Sequence, residues 1–338
     1  MHPVLALSDA ISPRPSLTNE MMKLVYLDAF ALNPGDLDLS PLTALCDATI
    51  YDRTPAELVM QRCADAHIIL TNKIRFTANV MDQLPHLKAV MVSATGYDGI
   101  DTQAARERGI TVCNVPRYGT ASVAQHTIGL LLALTNRIEA AAQHAQSGGW
   151  SQNPDWCYFL HPTIELAGKT MGIIGMGEIG QQVARIAQSL GMHILAHSRT
   201  PKAILNVTWA DYTTVFEQSD VVSLHCPLTP ENTQLVRMER LSRMKPTAFL
   251  LNTARGKLIH EQELADALNR GVIAGAGLDV LTEEPPPPDH PLLHARNTII
   301  TPHASWGARE ARQRLLDILT ENVASFLRGT PQNVVNPA

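Results

Sequence analysis

Cysteine is sparse and unpatterned in this chain of 338 residues. Its five cysteines, Cys46, Cys63, Cys113, Cys157 and Cys226, are odd in number and widely spaced, and no CxxC pair occurs. That excludes a disulfide scaffold or a zinc ribbon and suits reduced thiols and no metal. Long apolar runs are also missing. The longest, around residues 128–134, is far short of the roughly 20 residues a membrane span needs. Basic charge is not in excess either: 27 Lys and Arg face 32 Asp and Glu, for a net charge of −5. The mixed signs exclude the basic stripe of a nucleic-acid binder, and the acidic balance argues against an anionic membrane surface. Asp9, Pro13 and Pro15 interrupt any signal-peptide apolar core. Residues 1–22 therefore read as a disordered extension and the chain as cytoplasmic. No internal repeat is visible.

What is present is an apolar content of 45 %, enough for two domains with sizeable cores at this length. From residue 23 short apolar runs alternate with amphipathic stretches. Strands are expected at 24–28, 48–51, 67–70, 89–93 and 111–114, with helices at 55–64 (Thr54 as N-cap), 78–84 and 102–108, the last stopped by Gly109. One long Ala/Leu-rich helix is expected over 121–146. A second series follows, with strands at 170–174, 193–197, 221–225, 248–253, 274–279 and 298–301 and a closing helix at 308–327. This alternation reads as α/β, with parallel sheets and helices on both faces. Pro285 to Pro288 exclude helix and central strand, so the segment 283–291 is a rigid loop.

The run Gly175-Met176-Gly177-Glu178-Ile179-Gly180 is a GxGxxG between an expected strand and an expected helix. Gly175 permits the tight turn, Gly177 admits a pyrophosphate to the backbone, and Gly180 lets helix and strand pack closely. The helix N-terminus adds free N–H groups and the positive dipole end. At the end of the next strand, NAD sites place a carboxylate on the ribose hydroxyl. Here that position is Ser198, followed by Arg199 and Thr200. Loss of the carboxylate and gain of a guanidinium point to NADP(H) over NAD(H).

Three polar residues follow later strands: Arg255, Glu284 and His303. Carboxyl ends of parallel strands are where open α/β sheets bind ligands. The three chemistries are complementary for reducing a keto acid. An Arg fork holds a carboxylate, a His donates a proton near neutral pH, and a carboxylate beside that His orients its ring.

At these residues the sequence resembles the D-isomer-specific 2-hydroxyacid dehydrogenases. The resemblance runs from about residue 23 onward. It rests on Gly175–Gly180, His225-Cys226-Pro227-Leu228-Thr229, Asn252-Thr253-Ala254-Arg255-Gly256, Gly277-Leu278-Asp279-Val280 before Glu283-Glu284-Pro285, and Thr301-Pro302-His303. It implies that Arg255, Glu284 and His303 are the catalytic set and that Asp279 lies near the nicotinamide. Further cofactor contacts are implied at Met176, Glu178 and Ile179, at His225, Cys226, Pro227 and Thr233, and at Thr253 and Ala254, with His303 also touching the nicotinamide. Arg255 and His303 would bind substrate together with Asn72, Thr95 and Gly96.

The resemblance also implies two Rossmann-like domains flanking a cleft. One is a flavodoxin-like substrate domain of residues 23–117 plus 305–338. The other is an inserted NAD(P)-binding domain of 118–304, where the residue pattern alone would split the chain near Gly148. A homodimer through the helix from Ala121 is expected. The stretches Ala94–Asp98, Asn114–Thr120 and Ser122–His126 most resemble bacterial hydroxypyruvate reductases, or glycerate dehydrogenases. The expected reaction is reduction of hydroxypyruvate or glyoxylate to D-glycerate or glycolate. Other substrates stay open (pyruvate, phosphohydroxypyruvate or a bulkier keto acid), as does a cofactor-sensing protein of corepressor type.

Overall fold

The computed structural model describes residues 21–201 and 203–337; the extension expected at 1–22 lies almost wholly outside them. Among the described residues, the strands are β1 (Lys23–Tyr26), β2 (Asp47–Ile50), β3 (Ile68–Thr71), β4 (Ala89–Val92), β5 (Thr111–Cys113), β6 (Thr170–Ile174), β7 (His193–His197), β8 (Val207–Trp209), β9 (Val221–Leu224), β10 (Phe249–Asn252), β11 (Gly275–Leu278) and β12 (Thr298–Ile300). All their pairings are parallel. They form a five-stranded sheet, order β2-β1-β3-β4-β5, and a seven-stranded sheet, order β12-β11-β10-β9-β6-β7-β8.

The chain divides into two compact units: residues up to 114 with 318 onward, and residues 115–317. The second division falls inside the helix Arg309–Leu327. Its first turns belong with the second unit, where the Arg314 Nε donates to the Tyr118 carbonyl at 3.0 Å. The first unit holds the five-stranded sheet. Its core packs Val25, Ile69, Val90 and Val112 from the strands against Val59, Met81 and Ala105 from the helices.

In the second unit, both faces of the seven-stranded sheet are apolar, which is why its inner strands read as continuous Val/Ile/Leu runs. One face packs on Phe216, Leu264 and Leu268, the other on Ile128, Leu131, Val183 and Ala187. The small residues of β11 serve the second face. A Cβ at Gly277 would stand 3.0 Å from the Leu130 Cβ, so glycine lets the Thr120–Asn136 helix close on the sheet.

Two local expectations are corrected, and some elements went unforeseen. The long helix over 121–146 is two helices, Thr120–Asn136 and Ile138–Gln146. Arg137 separates them in a left-handed conformation (φ 49°, ψ 39°), with its guanidinium on the Asn297 Oδ1 at 2.9 Å. Thr54 does not cap the helix after it. Its hydroxyl donates to the Leu27 carbonyl at 2.6 Å, and a 3-10 turn (Ala56–Leu58) precedes a short helix (Val59–Cys63). The edge strand β8, the Tyr212–Gln218 helix and the Glu261–Asn269 helix were not anticipated. The last is capped by His260, whose ring accepts from the Glu263 N–H; histidine is outside the usual Ser/Thr/Asp/Asn cap signature.

Candidate active site

Sheet order sets the geography of the second unit. Because β12, β11, β10, β9, β6 and β7 lie side by side and parallel, their following loops line one edge in that order. His303, Glu284, Arg255, His225-Cys226, the Gly-rich turn and Ser198-Arg199 therefore succeed one another along it. Chain direction across the sheet reverses at β6, which lies between β9 and β7, and that reversal is where open α/β sheets leave a crevice.

The turn after β6 fits a dinucleotide pyrophosphate. Gly175 has φ +101°, and a Cβ there would lie 2.6 Å from the His225 and Cys226 backbone. A Cβ at Gly180 would lie 2.1 Å from the Gly175 carbonyl oxygen. At Gly177 nothing stands within 4 Å of a Cβ position, so the backbone is open to a ligand. Gly177 is also the N-cap of the 12-residue helix Glu178–Ser189, and no side chain caps it. Its first-turn N–H groups are thus available to an anion. Met176 can contribute only backbone, since its side chain is buried in the core. Glu178, negative at this mouth, is paired with Arg117 at 2.8 Å. Ser198 directly follows β7, and Arg199 and Thr200 are exposed. Arg199 lies close enough to favour the charged form of Glu231 and the Cys226 thiolate.

At the other end of the edge, His303 Nδ1 and Glu284 Oε2 are 2.7 Å apart, each side chain 28 % exposed. The second carboxylate oxygen, Oε1, accepts from the Leu281 N–H at 3.1 Å. Acceptance by Glu284 fixes a proton on Nδ1, so Nε2 is the ring atom not engaged in this pair. His303 sits in left-handed backbone, φ +52°. Its N–H donates to the carbonyls of Asp279 and Thr301 at 2.8 and 2.9 Å.

Arg255 is placed by a turn that Asn252 builds. The buried Asn252 accepts from the Ala254 N–H at 3.0 Å and donates to the Arg255 carbonyl at 2.8 Å. Gly256, next in line, packs directly on the Leu281 and Thr282 backbone. The Arg255 charge is felt by the buried Tyr118 phenol, whose pKa burial raises.

The other expected contact residues are held as follows. Asp279 is fully buried and accepts from the Thr301 hydroxyl (2.6 Å) and the Ala304 and Ser305 N–H groups (2.9 and 3.0 Å). It holds the His303 loop. The Thr253 hydroxyl meets Thr127 at 3.0 Å on the Thr120–Asn136 helix. Thr233 donates to the Thr229 carbonyl at 2.9 Å in its own turn. His225 faces Ser223 Oγ at 2.8 Å, and desolvation pushes its pKa down to about 4. Pro227 follows, exposed, with its carbonyl on Asn232 at 2.8 Å. In the first unit, the Asn72 N–H is spent on the Asp28 carboxylate at 2.8 Å and its side-chain amide on the Ser93 carbonyl at 3.2 Å. Thr95 is exposed, its carbonyl accepting from Asn114 at 2.7 Å, and Gly96 follows half-buried. Among the described residues no cluster of His, Cys, Asp and Glu could hold a metal ion, and no helix is long and apolar enough to cross a membrane.

Sequence reading missed three positions: Asn252, Thr301 and His126. All lie within or beside its motifs, and the signal was a polar residue at a strand end or on an otherwise apolar helix.

Comparison with known proteins places this geometry. Residues 128–305 match the model of the D-isomer specific 2-hydroxyacid dehydrogenase, NAD binding domain. The chain is 48 % identical to a hydroxypyruvate reductase of Blautia hydrogenotrophica, over 93 % of this chain and 100 % of the relative. It is 43 % identical to a glycerate dehydrogenase of Methylorubrum extorquens, over 83 % and 89 %. An NADPH-dependent glyoxylate/hydroxypyruvate reductase from Sinorhizobium meliloti, in complex with NADP and malonate, superimposes with a TM-score of 0.82 at 30 % identity, covering 94 % of this chain and 97 % of that one.

Proposed function

Because the chain belongs to the D-isomer-specific 2-hydroxyacid dehydrogenase family, we propose that it reduces hydroxypyruvate or glyoxylate to D-glycerate or glycolate, with NADPH preferred. The substrate class follows the names of its relatives. The observation that carries the chemistry is the 2.7 Å contact of His303 Nδ1 with Glu284.

When bound, the nicotinamide cofactor supplies the hydride. The chain's residues do the rest. Gly175, Gly177 and the first turn of the Glu178–Ser189 helix hold the pyrophosphate. Arg255 presents a planar fork to the substrate carboxylate and draws charge from the adjacent carbonyl. His303, with Nδ1 fixed on Glu284, gives its Nε2 proton to the oxygen that becomes the hydroxyl. The N–H and amide of Asn72 are engaged by Asp28 and Ser93, so its part is to tie the loop after β3 to the ends of β1 and β4.

The NADPH preference rests on Ser198 and Arg199. A serine at the carboxylate position removes repulsion of a 2′-phosphate, and the exposed Arg199 offers it a guanidinium. A homodimer is supported by apolar exposure. The Ile138–Gln146 helix has no buried residue, and Trp156 and Phe159 beyond it are 86 % and 83 % exposed. Such a patch marks an association surface. The cytoplasm is the compartment assigned, on five free cysteines.

The test is turnover of a panel of small 2-keto acids with NADPH and with NADH. Hydroxypyruvate or glyoxylate should give the highest kcat/KM, and Arg199→Ala should raise the KM for NADPH while sparing that for NADH. Pyruvate turned over best, or NADH favoured by the wild type, would overturn the substrate or cofactor assignment respectively.

A further inference from the structure

The loop that carries His303 is clamped from the Thr120–Asn136 helix. Two residues one turn apart on that helix reach it, the spacing that puts i and i+4 on one face. Ser122 Oγ donates to the Ser305 carbonyl at 2.6 Å, and His126 Nε2 lies 2.9 Å from Thr301 Oγ1. Between these two points stands His303, in left-handed backbone.

Proton counting fixes the direction of each bond. The Thr301 hydroxyl donates its one hydrogen to Asp279 Oδ1, 2.6 Å away. Thr301 Oγ1 is then an acceptor for its other neighbour, and His126 Nε2 must carry a hydrogen. The chain therefore runs His126 Nε2–H to Thr301 O–H to the Asp279 carboxylate. That carboxylate also takes the Ala304 and Ser305 N–H groups, just past the residue whose ring it helps to aim, His303.

We propose that His126 is a positioning residue for the reaction, setting the aim of the His303 ring through Thr301 and Asp279. This rests on the reading of His303 as the proton donor. His126 does not touch the reacting atoms. Its donated hydrogen commits the Thr301 hydroxyl to Asp279 and so keeps that carboxylate turned toward the loop. Without it, the hydroxyl can rotate away and Asp279 loses its shortest contact. The His126 side chain is 28 % exposed and borders an open groove of about 460 Å3, so substitution there leaves no sealed cavity to unfold the protein.

The experiment compares H126L, H126Q, T301V and T301S with wild type, H303A and the H126L/H303A double variant. Readouts are kcat, the KM for NADPH and the melting temperature. H126L and T301V should lower kcat about 10-fold, less than the ~100-fold a full ångström of misplacement costs, with the NADPH KM unchanged. H126Q keeps a donor and T301S keeps the hydroxyl, so both should recover most of that loss. H126L should add nothing to H303A. Wild-type kcat in H126L, or H126Q as slow as H126L with a lowered melting temperature, would overturn the positioning role. Full turnover by H303A would instead remove the proton-donor reading on which it rests.

Discussion

Gly256 joins the loops that carry Arg255 and Glu284, and adding one methyl group there should separate them. A Cβ on Gly256 would lie 2.0 Å from the Leu281 carbonyl carbon and 2.3 Å from both its oxygen and the Thr282 nitrogen. Every obstructing atom is backbone, so no side chain can swing aside. Ordinary contact begins near 3.4 Å, so one segment must retreat by roughly 1 Å or more. The loop cannot slide freely: the Thr282 N–H is held by Glu261 at 2.7 Å, and Glu261 is itself paired with the buried His290 at 3.3 Å. Movement at Leu281 is passed to Glu284, whose Oε1 hangs on the Leu281 N–H, and from there to the His303 ring. Gly256→Ala should cost about 1–3 kcal/mol of stability, the usual penalty of overpacking, and about 100-fold in kcat, the order expected of a 1 Å misplacement. Thermal melts and steady-state kinetics with hydroxypyruvate and NADPH measure the two separately. Unaltered kcat, whatever the melting temperature, would refute the coupling of Gly256 to the Glu284–His303 pair.

Arg255→Lys keeps the charge and loses the planar fork, so kcat/KM for the keto acid should fall at least about 10-fold; wild-type kinetics would show that the carboxylate is held elsewhere. Native protein at pH 8 should label with a thiol reagent first at the exposed Cys157, while Cys63 and Cys113, buried with thiols pushed up to about 12, stay unreacted; mass spectrometry of the labelled peptides reads the order. His225, pushed down to about 4 from 6.5, is neutral in the fold where the unfolded chain would already be protonated. Its contribution is complete above pH about 6.5 and is lost as pH falls toward about 4, to the extent of about 3 kcal/mol. His225→Gln should flatten that part of the stability–pH curve, and an unchanged acid limb would contradict the burial of the ring.

The two parallel sheets were legible because their inner strands are buried on both faces and read as continuous apolar runs, such as Ile68-Ile69-Leu70 and Phe249-Leu250-Leu251. The edge strand β8 was not: its three residues are none of them buried, and it lacks the apolar run by which the equally unburied edge strand β12 was read. Most expected strand ends ran one residue too far, and the overrun has a chemical cause. Asp28, two residues past β1, and Asn114, Asp279 and Thr301, each one residue past its strand, directly adjoin apolar runs in sequence, yet each lies outside the ladder and holds a loop. Asp28 takes the Asn72 and Lys73 N–H groups, Asn114 donates to the Thr95 carbonyl, and Thr301 donates to Asp279. The first two of these contacts span 44 and 19 residues of sequence, beyond the reach of any local pattern. The same distance hid the partnership of His126 with Thr301, which are 175 residues apart.

His303, the proposed proton donor, also shows why motif and geometry carry different information. Thr301-Pro302-His303 marks the residue, but a proline before a histidine says nothing of φ +52° at the histidine itself. A non-glycine residue keeps that conformation only where its surroundings over-determine it, and here they do. Two carboxylates act on different parts of the residue. Glu284 holds the ring through Nδ1, while Asp279 holds the backbone through Thr301, Ala304 and Ser305. A ring held only by Glu284 could tilt about that single bond, and a loop held only by Asp279 would leave the ring free to turn about its side-chain torsions. Held at both, Nε2 has one direction, and in the proton-donor role proposed for it the entropy of finding that direction is lost on folding instead of during turnover.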